Sequence, residues 1–317
     1  IDIEHIDENS FAFVGNKAAN FGVLYHISKE SGFRVPESAF AIPFFFYHRH
    51  VSGSQASVLI DSLMKCSKQM STDSIKLLLI DIREKIKASP IDISLLNSIN
   101  SKVLANDKYL NLRFRSSTNA EDAKGFSGAG IYTSKTGIYK HSKKTYEKAI
   151  KDVWASLWSY EAFVEREYYN IRHEDAYMGI LVHRSFPDEK VNGVAITKNL
   201  YRPQSLGFVV NAQIGDESVV EPKQGITSDQ FICYPDAVTE KVNAIDIITQ
   251  SNLHENSLVM SPEEIKHLAN QLEIIKRNMY DKMQINEPYE DFGLDLELKL
   301  ESEKRILYIK QVRLYND

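Results

Sequence analysis

The sequence predicts a mixed α/β fold in which helix-rich and strand-rich blocks follow one another (α+β). Apolar residues recur at helical spacing in the stretches 11–30, 55–105 and 145–169. From about residue 177 the pattern changes to short apolar strands separated by turn-forming pairs such as Pro-Asp and Asn-Gly. The chain has 317 residues, a length that favours about two domains or lobes.

The composition excludes several classes of function. With 38 basic and 43 acidic residues, the formal charge is −5 and the pI is near 6.0, so the chain carries no electrostatic signature of nucleic-acid binding. No apolar run approaches the roughly 18 residues of a membrane span, and the N-terminus lacks the features of a signal peptide. We therefore expect a cytoplasmic protein with no membrane partner. Cys66 and Cys233 stand far apart, which predicts two reduced, buried thiols.

The first predicted element is a glycine turn that opens a helix, in the segment VGNKAANFG. Gly32 and Pro36 end this helix, and FAIPFFF then predicts a short apolar strand. Lys17 lies in the first turn of the helix, where free N–H groups and the helix dipole favour an anion. An ordinary surface lysine would fit the same position, so this segment leaves both interpretations open.

A second candidate segment begins with LNLRFRSS, which alternates apolar and basic residues as a strand does. Arg113 and Arg115 are expected on one face, and Leu112 and Phe114 on the other. A loop rich in small residues follows, with glycines at 125, 128 and 130. A guanidinium group can make forked contacts with phosphate, and glycine allows backbone N–H groups to approach phosphate closely. An ordinary surface loop would have the same composition.

The remaining helices are predicted from periodicity and capping signals. The segment 145–169 carries Trp154 and Trp158 four residues apart, a spacing typical of core packing. Ser261-Pro262-Glu263-Glu264 predicts a helix start, with serine as the N-cap and proline in the first turn. An apolar stripe at helical spacing follows it.

The C-terminal segments GLDLELKL and RILYIKQVRL predict a β-hairpin with one apolar and one polar face. Strict alternation places Asp295, Glu297 and Lys299 on the polar face of the first strand, and it places Ile309, Gln311 and Arg313 together on one face of the second. It places Tyr308, Lys310 and Val312 on the opposite side. Two carboxylates at positions i and i+2 lie about 7 Å apart, which suits Mg²⁺ completed by phosphate oxygens. A solvated strand face gives the same alternation, so the pattern alone leaves both possibilities open.

These segments, in this order, resemble the N-terminal nucleotide-binding domain of the phosphoenolpyruvate synthase and pyruvate phosphate dikinase family. VGNKAANFGVL resembles the family's GGKxANLGEL, RSSTNAED resembles RSSATAED, and NGVAITKNLY resembles SGVxFTRNP. FVVNAQIGDESVV resembles INAQGEDVV, and DLEL with LYIKQVRLY resembles DIExA with LYIxQARP. The similarity extends from about residue 12 to about residue 315, and it favours function for the hairpin.

The resemblance implies an ATP-grasp fold of two subdomains, 1–190 and 191–317, with the nucleotide in the cleft between them. It implies that Lys17 and Arg115 hold phosphates, and that Gly130 and Ser134 belong to a loop closing over them. His183 takes the place of a family glutamine in the strand beside adenine. In the second subdomain it implies two roles, Mg²⁺ binding by Asp295 and Glu297 and phosphate-side contacts by Gln311 and Arg313.

The resemblance also implies a function, an ATP-dependent phosphotransferase of the dikinase type with ATP and Mg²⁺ as cofactors. The phosphohistidine segment of the family's complete enzymes is absent from this sequence. We therefore expect the phosphohistidine carrier to lie outside this chain, in cis or in trans, and to serve an unknown small-molecule acceptor. The alternative is a non-catalytic domain that binds or senses a nucleotide within a larger protein.

Overall fold

The computed structural model describes residues 1–105, 108–120, 130–220, 222–235, 242–254 and 257–315. The chain forms two compact units. The first comprises residues 1–22 and 37–185, and the second comprises residues 23–36 and 186–317. The subdomain limits 1–190 and 191–317 remain a prediction.

The helices of the first unit occupy most of its N-terminal half. They are α1 (Phe11–Val14), α2 (Asn16–Ser31, whose residues from Val23 belong to the second unit), α3 (Phe44–Ser52), α4 (Ala56–Cys66), α5 (Thr72–Ala88), α6 (Ile93–Ala105), α7 (Tyr146–Ala155) and α8 (Tyr160–Tyr168). Short 3-10 turns lie at Ile3–His5, Glu8–Ser10, Ser67–Gln69, Ser156–Trp158 and His173–Asp175. The helices are amphipathic, and residues such as Leu79, Ile82 and Val153 are fully buried in one core.

The first unit also contains a four-stranded antiparallel sheet. Its strands are β1 (Phe40–Ile42), β2 (Asn111–Thr118), β3 (Ser134–Ile138) and β4 (Met178–Arg184). Their order across the sheet is β1-β4-β2-β3. The strand that carries Arg115, β2, is therefore paired on both edges, and Leu112 and Phe114 are fully buried as alternation predicts.

The second unit contains a six-stranded antiparallel sheet and a long helix. Its strands are β5 (Glu189–Ile196), β6 (Phe208–Ile214), β7 (Asp229–Pro235), β8 (Val242–Thr249), β9 (Leu294–Glu301) and β10 (Ile306–Leu314), in the order β10-β9-β5-β6-β7-β8. The helix α9 (Pro262–Lys282) begins with a capping box between Ser261 and Glu264, and it packs on β7 and β8. Its predicted apolar stripe is buried.

The predicted fold class is confirmed, since helices combine with two antiparallel sheets in an α+β arrangement. Three local predictions were wrong. FAIPFFF is a strand only to Ile42, because Pro43 starts α3 at Phe44. The helix expected at 145–169 is interrupted at Ser156–Trp158, and Ser159 caps a new one. Cys66 is exposed, while Cys233 is buried and burial raises its pKa to about 12.

Among the described helices, none combines the length and the apolar character needed to cross a lipid bilayer.

Candidate functional site

Lys17 lies where the first turn of α2 meets the end of β2. Gly15, with φ +85°, connects α1 to α2, and an added Cβ there would lie 2.3 Å from the Ser117 carbonyl oxygen. Only glycine permits this close approach. Lys17 Nζ then donates to the Ser116 carbonyl at 3.0 Å, and the Ala18 N–H donates to Ser117 Oγ at 2.9 Å. The start of α2 is thus fixed against the hydroxyl-rich end of β2.

Arg115 immediately precedes Ser116 and Ser117, the two residues of β2 that contact the first turn of α2. It lies opposite Leu181 of β4 and opposite Ser134 of β3. Its side chain is buried, with 7% of its surface exposed. Arg113, two residues earlier on the same face, donates to Thr136 Oγ1 at 3.2 Å. The sheet therefore places a lysine, an arginine and several hydroxyl groups at one end of β2.

The predicted phosphate loop is described only at its end. Gly130 is exposed and has φ +76°, and no atom of the described residues lies within 4 Å of the position that a Cβ would occupy. Ser134 opens β3 directly across from Arg115. Gly125 and Gly128 lie outside the described residues. The roles of Gly130 and Ser134 in closing over phosphates remain predictions.

His183 lies in β4 with 1% of its surface exposed. Its ring stacks on Phe21 at a centroid distance of 6.0 Å and an interplanar angle of 14°. Nδ1 is 2.7 Å from the Arg184 carbonyl oxygen, and since a carbonyl only accepts, the ring proton lies on Nδ1. With the ring packed inside the first unit, any contact of this strand with adenine would come from its backbone. The role of His183 therefore remains a prediction.

The C-terminal hairpin forms as predicted, but a β-bulge changes the faces of β10. Asp295 pairs with Arg313 and Glu297 pairs with Gln311, so both pairs share the polar face. The register shifts between Ile309 and Gln311, leaving Lys310 as the extra residue. The predicted alternation of β10 was therefore wrong in part.

The bulge reverses the alternation of β10 on its N-terminal side. Ile309 lies opposite Leu298 on the apolar face, where it is fully buried, while Val312 lies opposite Leu296 on that same face. Tyr308 lies opposite Lys299 on the polar face. Only Gln311 and Arg313 keep the predicted position beside the two carboxylates.

Both carboxylates of the hairpin carry a basic partner. Asp295 Oδ2 accepts from Arg313 Nε at 2.8 Å and from Nη2 at 2.5 Å. Glu297 Oε2 lies 2.7 Å from Lys310 Nζ. The side chains of Asp295 and Glu297 are 20% and 30% exposed, so the ion pairs are partly shielded from water.

The donor set on this face fits a hard cation such as Mg²⁺. Besides the two carboxylates, Gln311 Oε1 and Asn211 Oδ1 are buried oxygens with no hydrogen-bond partner among the described residues. Glu297 and Asn211 both pair with Val194, so they lie in one row across the sheet. The described residues contain no group of three or more His, Cys, Asp or Glu side chains that could hold a metal ion. Phosphate oxygens would therefore have to complete the coordination, as they usually do for Mg²⁺.

Comparison with known proteins identifies the family. The model of the AMP/ATP-binding domain of pyruvate phosphate dikinase matches residues 11–314. The chain belongs to this family. The resemblance drawn from the ordered sequence motifs is thereby confirmed, and the nucleotide class of the domain is AMP/ATP.

Two curated relatives of this dikinase-family domain are similar to the chain at low identity. A rifampicin phosphotransferase from Streptomyces sp is 25% identical over 237 residues, covering 71% of this chain and 26% of the relative. A phosphoenolpyruvate synthase from Aeropyrum pernix is 25% identical over 238 residues, covering 73% of this chain and 28% of the relative. The chain thus spans about a quarter of the length of these relatives.

The structure adds residues to this AMP/ATP-binding domain that sequence reasoning missed. Asn211 interrupts the apolar run FVVNAQ, and that interruption was the available signal. Lys276 lies on the apolar stripe of α9, four residues after Leu272, and is 1% exposed. Lys276 Nζ donates to the Thr197 carbonyl at 3.0 Å, and Thr197 Oγ1 accepts from the Leu294 N–H at 2.9 Å. Together they fix the start of β9, one residue before Asp295.

Proposed function

We propose that this chain binds ATP-Mg and passes a phosphoryl group from ATP to a phosphohistidine carrier outside the chain. Membership of the AMP/ATP-binding domain family over residues 11–314 is the observation that carries this proposal. The local geometry supports it, because each unit presents groups suited to one part of ATP-Mg. The fold that this function implies is of the ATP-grasp type.

The first unit supplies the phosphate-binding cations. Lys17 and Arg115 lie at one end of β2 with the hydroxyls of Ser116 and Ser117, and a guanidinium beside an ammonium suits a polyphosphate. Arg115 is largely buried, so its charge acts with little screening by water. In this proposal Gly130 and Ser134 belong to the loop that covers the phosphates, and the strand that contains His183 lies beside adenine.

The second unit supplies the metal-binding residues. Asp295 and Glu297 would hold Mg²⁺, which when bound neutralises negative charge on the phosphates. Arg313 orients Asp295 through two hydrogen bonds, and Gln311 offers a buried amide oxygen next to Glu297. In the transfer step a nitrogen of the carrier histidine forms a bond to phosphorus as the phosphorus–oxygen bond to the leaving phosphate breaks. The protein contributes position and charge stabilisation.

The relatives support a role in the nucleotide step in particular. One is named for phosphotransfer to rifampicin and the other for synthesis of phosphoenolpyruvate, so their names describe different products. Each is similar to more than two thirds of this chain, whose residues 11–314 match the AMP/ATP-binding domain. The proposed shared function is therefore the use of ATP, with a small-molecule acceptor served by the carrier.

Calorimetric titration with ATP-Mg and with adenosine tests the phosphate assignment. Arg115→Ala is expected to weaken ATP-Mg binding by about 10- to 100-fold, because a charge-assisted contact to phosphate is lost. Adenosine binding should stay within about twofold of the wild type. Arg113→Ala is the matched control, since Arg113 lies on the same strand face but contacts Thr136. Equal losses for ATP and adenosine would contradict the role of Arg115, and no binding of either would overturn the central claim.

Phosphoryl transfer in the parent protein separates the enzyme from a domain that only senses nucleotide. Radiolabelled ATP should label the carrier histidine in the wild type, and Glu297→Gln should abolish the label while leaving thermal unfolding unchanged. ATP binding without any labelled histidine in the wild type would favour the non-catalytic alternative.

A further inference from the structure

The β-bulge in β10 brings Lys310 to the same face of the hairpin as its neighbour Gln311. In the regular register that Gln311 and Arg313 follow, position 310 would stand opposite Leu298, on the apolar face that Val312 occupies. The register of β10 with β9 shifts between Ile309 and Gln311, and Lys310 is the extra residue of the bulge. Bulges re-aim side chains in this way and are frequent beside functional sites. Its ammonium therefore comes to the face of Glu297.

The contact between Lys310 and Glu297 is close and partly shielded. Lys310 Nζ lies 2.7 Å from Glu297 Oε2, with side-chain exposures of 17% and 30%. The same face carries a second lysine, Lys299, which pairs with Glu189 instead. Lys310 is thus the lysine directed at a carboxylate that the proposed function assigns to Mg²⁺.

An ammonium group and a divalent cation compete for one carboxylate. If the cation binds Glu297 first, the ion pair between Lys310 and Glu297 is broken, and two positive charges remain close together at a partly desolvated site. If ATP is present, its phosphates offer the displaced ammonium a new anionic partner. Lysine suits such an exchange because its charge sits on a long flexible stem with three rotatable donors.

We infer that Lys310 is a further residue of the ATP-Mg site, an internal counter-cation that makes metal binding by Glu297 dependent on nucleotide. This inference rests on the proposed function. Without nucleotide, Lys310 neutralises Glu297 and opposes the metal. With nucleotide, Lys310 turns from Glu297 to the phosphates, so metal and ATP strengthen each other's binding.

Electron paramagnetic resonance with Mn²⁺ alone, without nucleotide, tests this inference on the whole chain. Mn²⁺ takes the same oxygen ligands as Mg²⁺ and is directly observed. Lys310→Met should bind Mn²⁺ about three- to tenfold more tightly than the wild type, because the competing ion pair is gone. Lys299→Met is the matched control and should bind Mn²⁺ as the wild type does. Equal Mn²⁺ binding by the wild type and Lys310→Met, including none in either, would overturn the inference.

Two further experiments test whether the effect of Lys310→Met on Mn²⁺ binding depends on Glu297 and whether Lys310 contacts the nucleotide. In the Glu297→Gln background, Lys310→Met should no longer change Mn²⁺ affinity, and a persisting difference would place the effect elsewhere. Metal-free ATP should bind Lys310→Met about three- to tenfold more weakly than the wild type, and unchanged binding would remove the phosphate contact from the inference. If the wild type binds no ATP, the proposed function fails, while the Mn²⁺ comparison still decides whether Lys310 competes for Glu297.

Discussion

Gly15 is the residue on which the position of Lys17 most directly depends. Its backbone has φ +85° and ψ 165°, a region that is essentially restricted to glycine. The Ser117 carbonyl oxygen would lie 2.3 Å from an added Cβ, and a backbone atom in a paired strand cannot move away easily. Strain and steric overlap therefore act together at this one position.

We predict that Gly15→Ala lowers the free energy of unfolding by about 3 kcal/mol or more, from strain and overpacking together. Gly130→Ala is the matched control, because Gly130 also has positive φ but no described atom within 4 Å of its Cβ position. It should cost only the conformational strain, about 1–2 kcal/mol. Urea denaturation of both variants measures the difference, and equal losses would show that the contact with Ser117 does not limit the position of α2.

At the scale of secondary-structure elements, the bulge shifts the pairing of β10 with β9 by one residue between the two ends of β10. Before it, Ile309 faces Leu298; after it, Gln311 and Arg313 face Glu297 and Asp295. Removing the bulged residue would leave a regular antiparallel ladder with these pairs unchanged. Removing Val312 while Gln311 stays opposite Glu297 would instead move Arg313 opposite Leu296.

Deletion of Lys310 is therefore expected to change the free energy of unfolding by about 1 kcal/mol or less, the usual value of one partly exposed ion pair. Deletion of Val312 should cost about 3–5 kcal/mol, because it directs the Arg313 guanidinium toward the buried apolar face without Asp295. Thermal and urea unfolding of the two deletion variants compare these costs. If deletion of Lys310 lowers the free energy of unfolding as much as deletion of Val312 does, the bulge is required for the stability of the hairpin.

The same elements show how far the sequence predicts this structure. Strict period-2 alternation predicts the hairpin and the buried leucines of β9, because one face of the strand is apolar throughout. The bulge at Lys310 changes the phase of the apolar positions, from Leu307 and Ile309 before it to Val312 and Leu314 after it, so a prediction of strict alternation misses it. The break of the helix at Ser156 depends on tertiary packing, which overrides helical periodicity. The order of strands in a sheet depends on segments that are far apart in the chain. The pairing of β1 with β4 therefore could not be predicted from the local sequence.

For the candidate site, the sequence motifs predict which residues matter but not their partners. Lys17 and Arg115 were found through the family motifs, and the structure adds that the serines after Arg115 hold the start of α2. The sequence signals for Asn211 and Lys276 are weaker. Each is a polar residue within an apolar pattern, Asn211 in the strand FVVNAQ and Lys276 on the apolar stripe of α9. Because side-chain partners depend on packing between elements, the link from Lys276 through Thr197 to β9 emerges only from the fold.

At the scale of the whole molecule, the buried Lys276 couples the stability of the chain to pH. Burial lowers its pKa from 10.5 to about 8, although the carboxylates of Glu273, Glu290 and Asp291 oppose this shift. Below about pH 8 both the folded and unfolded states carry the proton, and the folded state bears the full cost of burying the charge. Between pH 8 and pH 10.5 only the unfolded state keeps the proton, so stability from this group rises with pH.

In the wild type, Lys276 should therefore make a contribution to the free energy of unfolding that rises by at most about 3 kcal/mol between pH 8 and pH 10.5. Lys276→Met should remove this contribution. The test is the difference in unfolding free energy between the wild type and the variant, measured by urea denaturation at several pH values in that range. Other groups titrate there too, and the raised pKa of the Cys233 thiol acts in the opposite direction, but both proteins share them and the difference cancels them. The wild type should gain stability relative to Lys276→Met as pH rises. Parallel curves would show that Lys276 stays protonated in the fold, held by its carboxylate neighbours against the cost of burial.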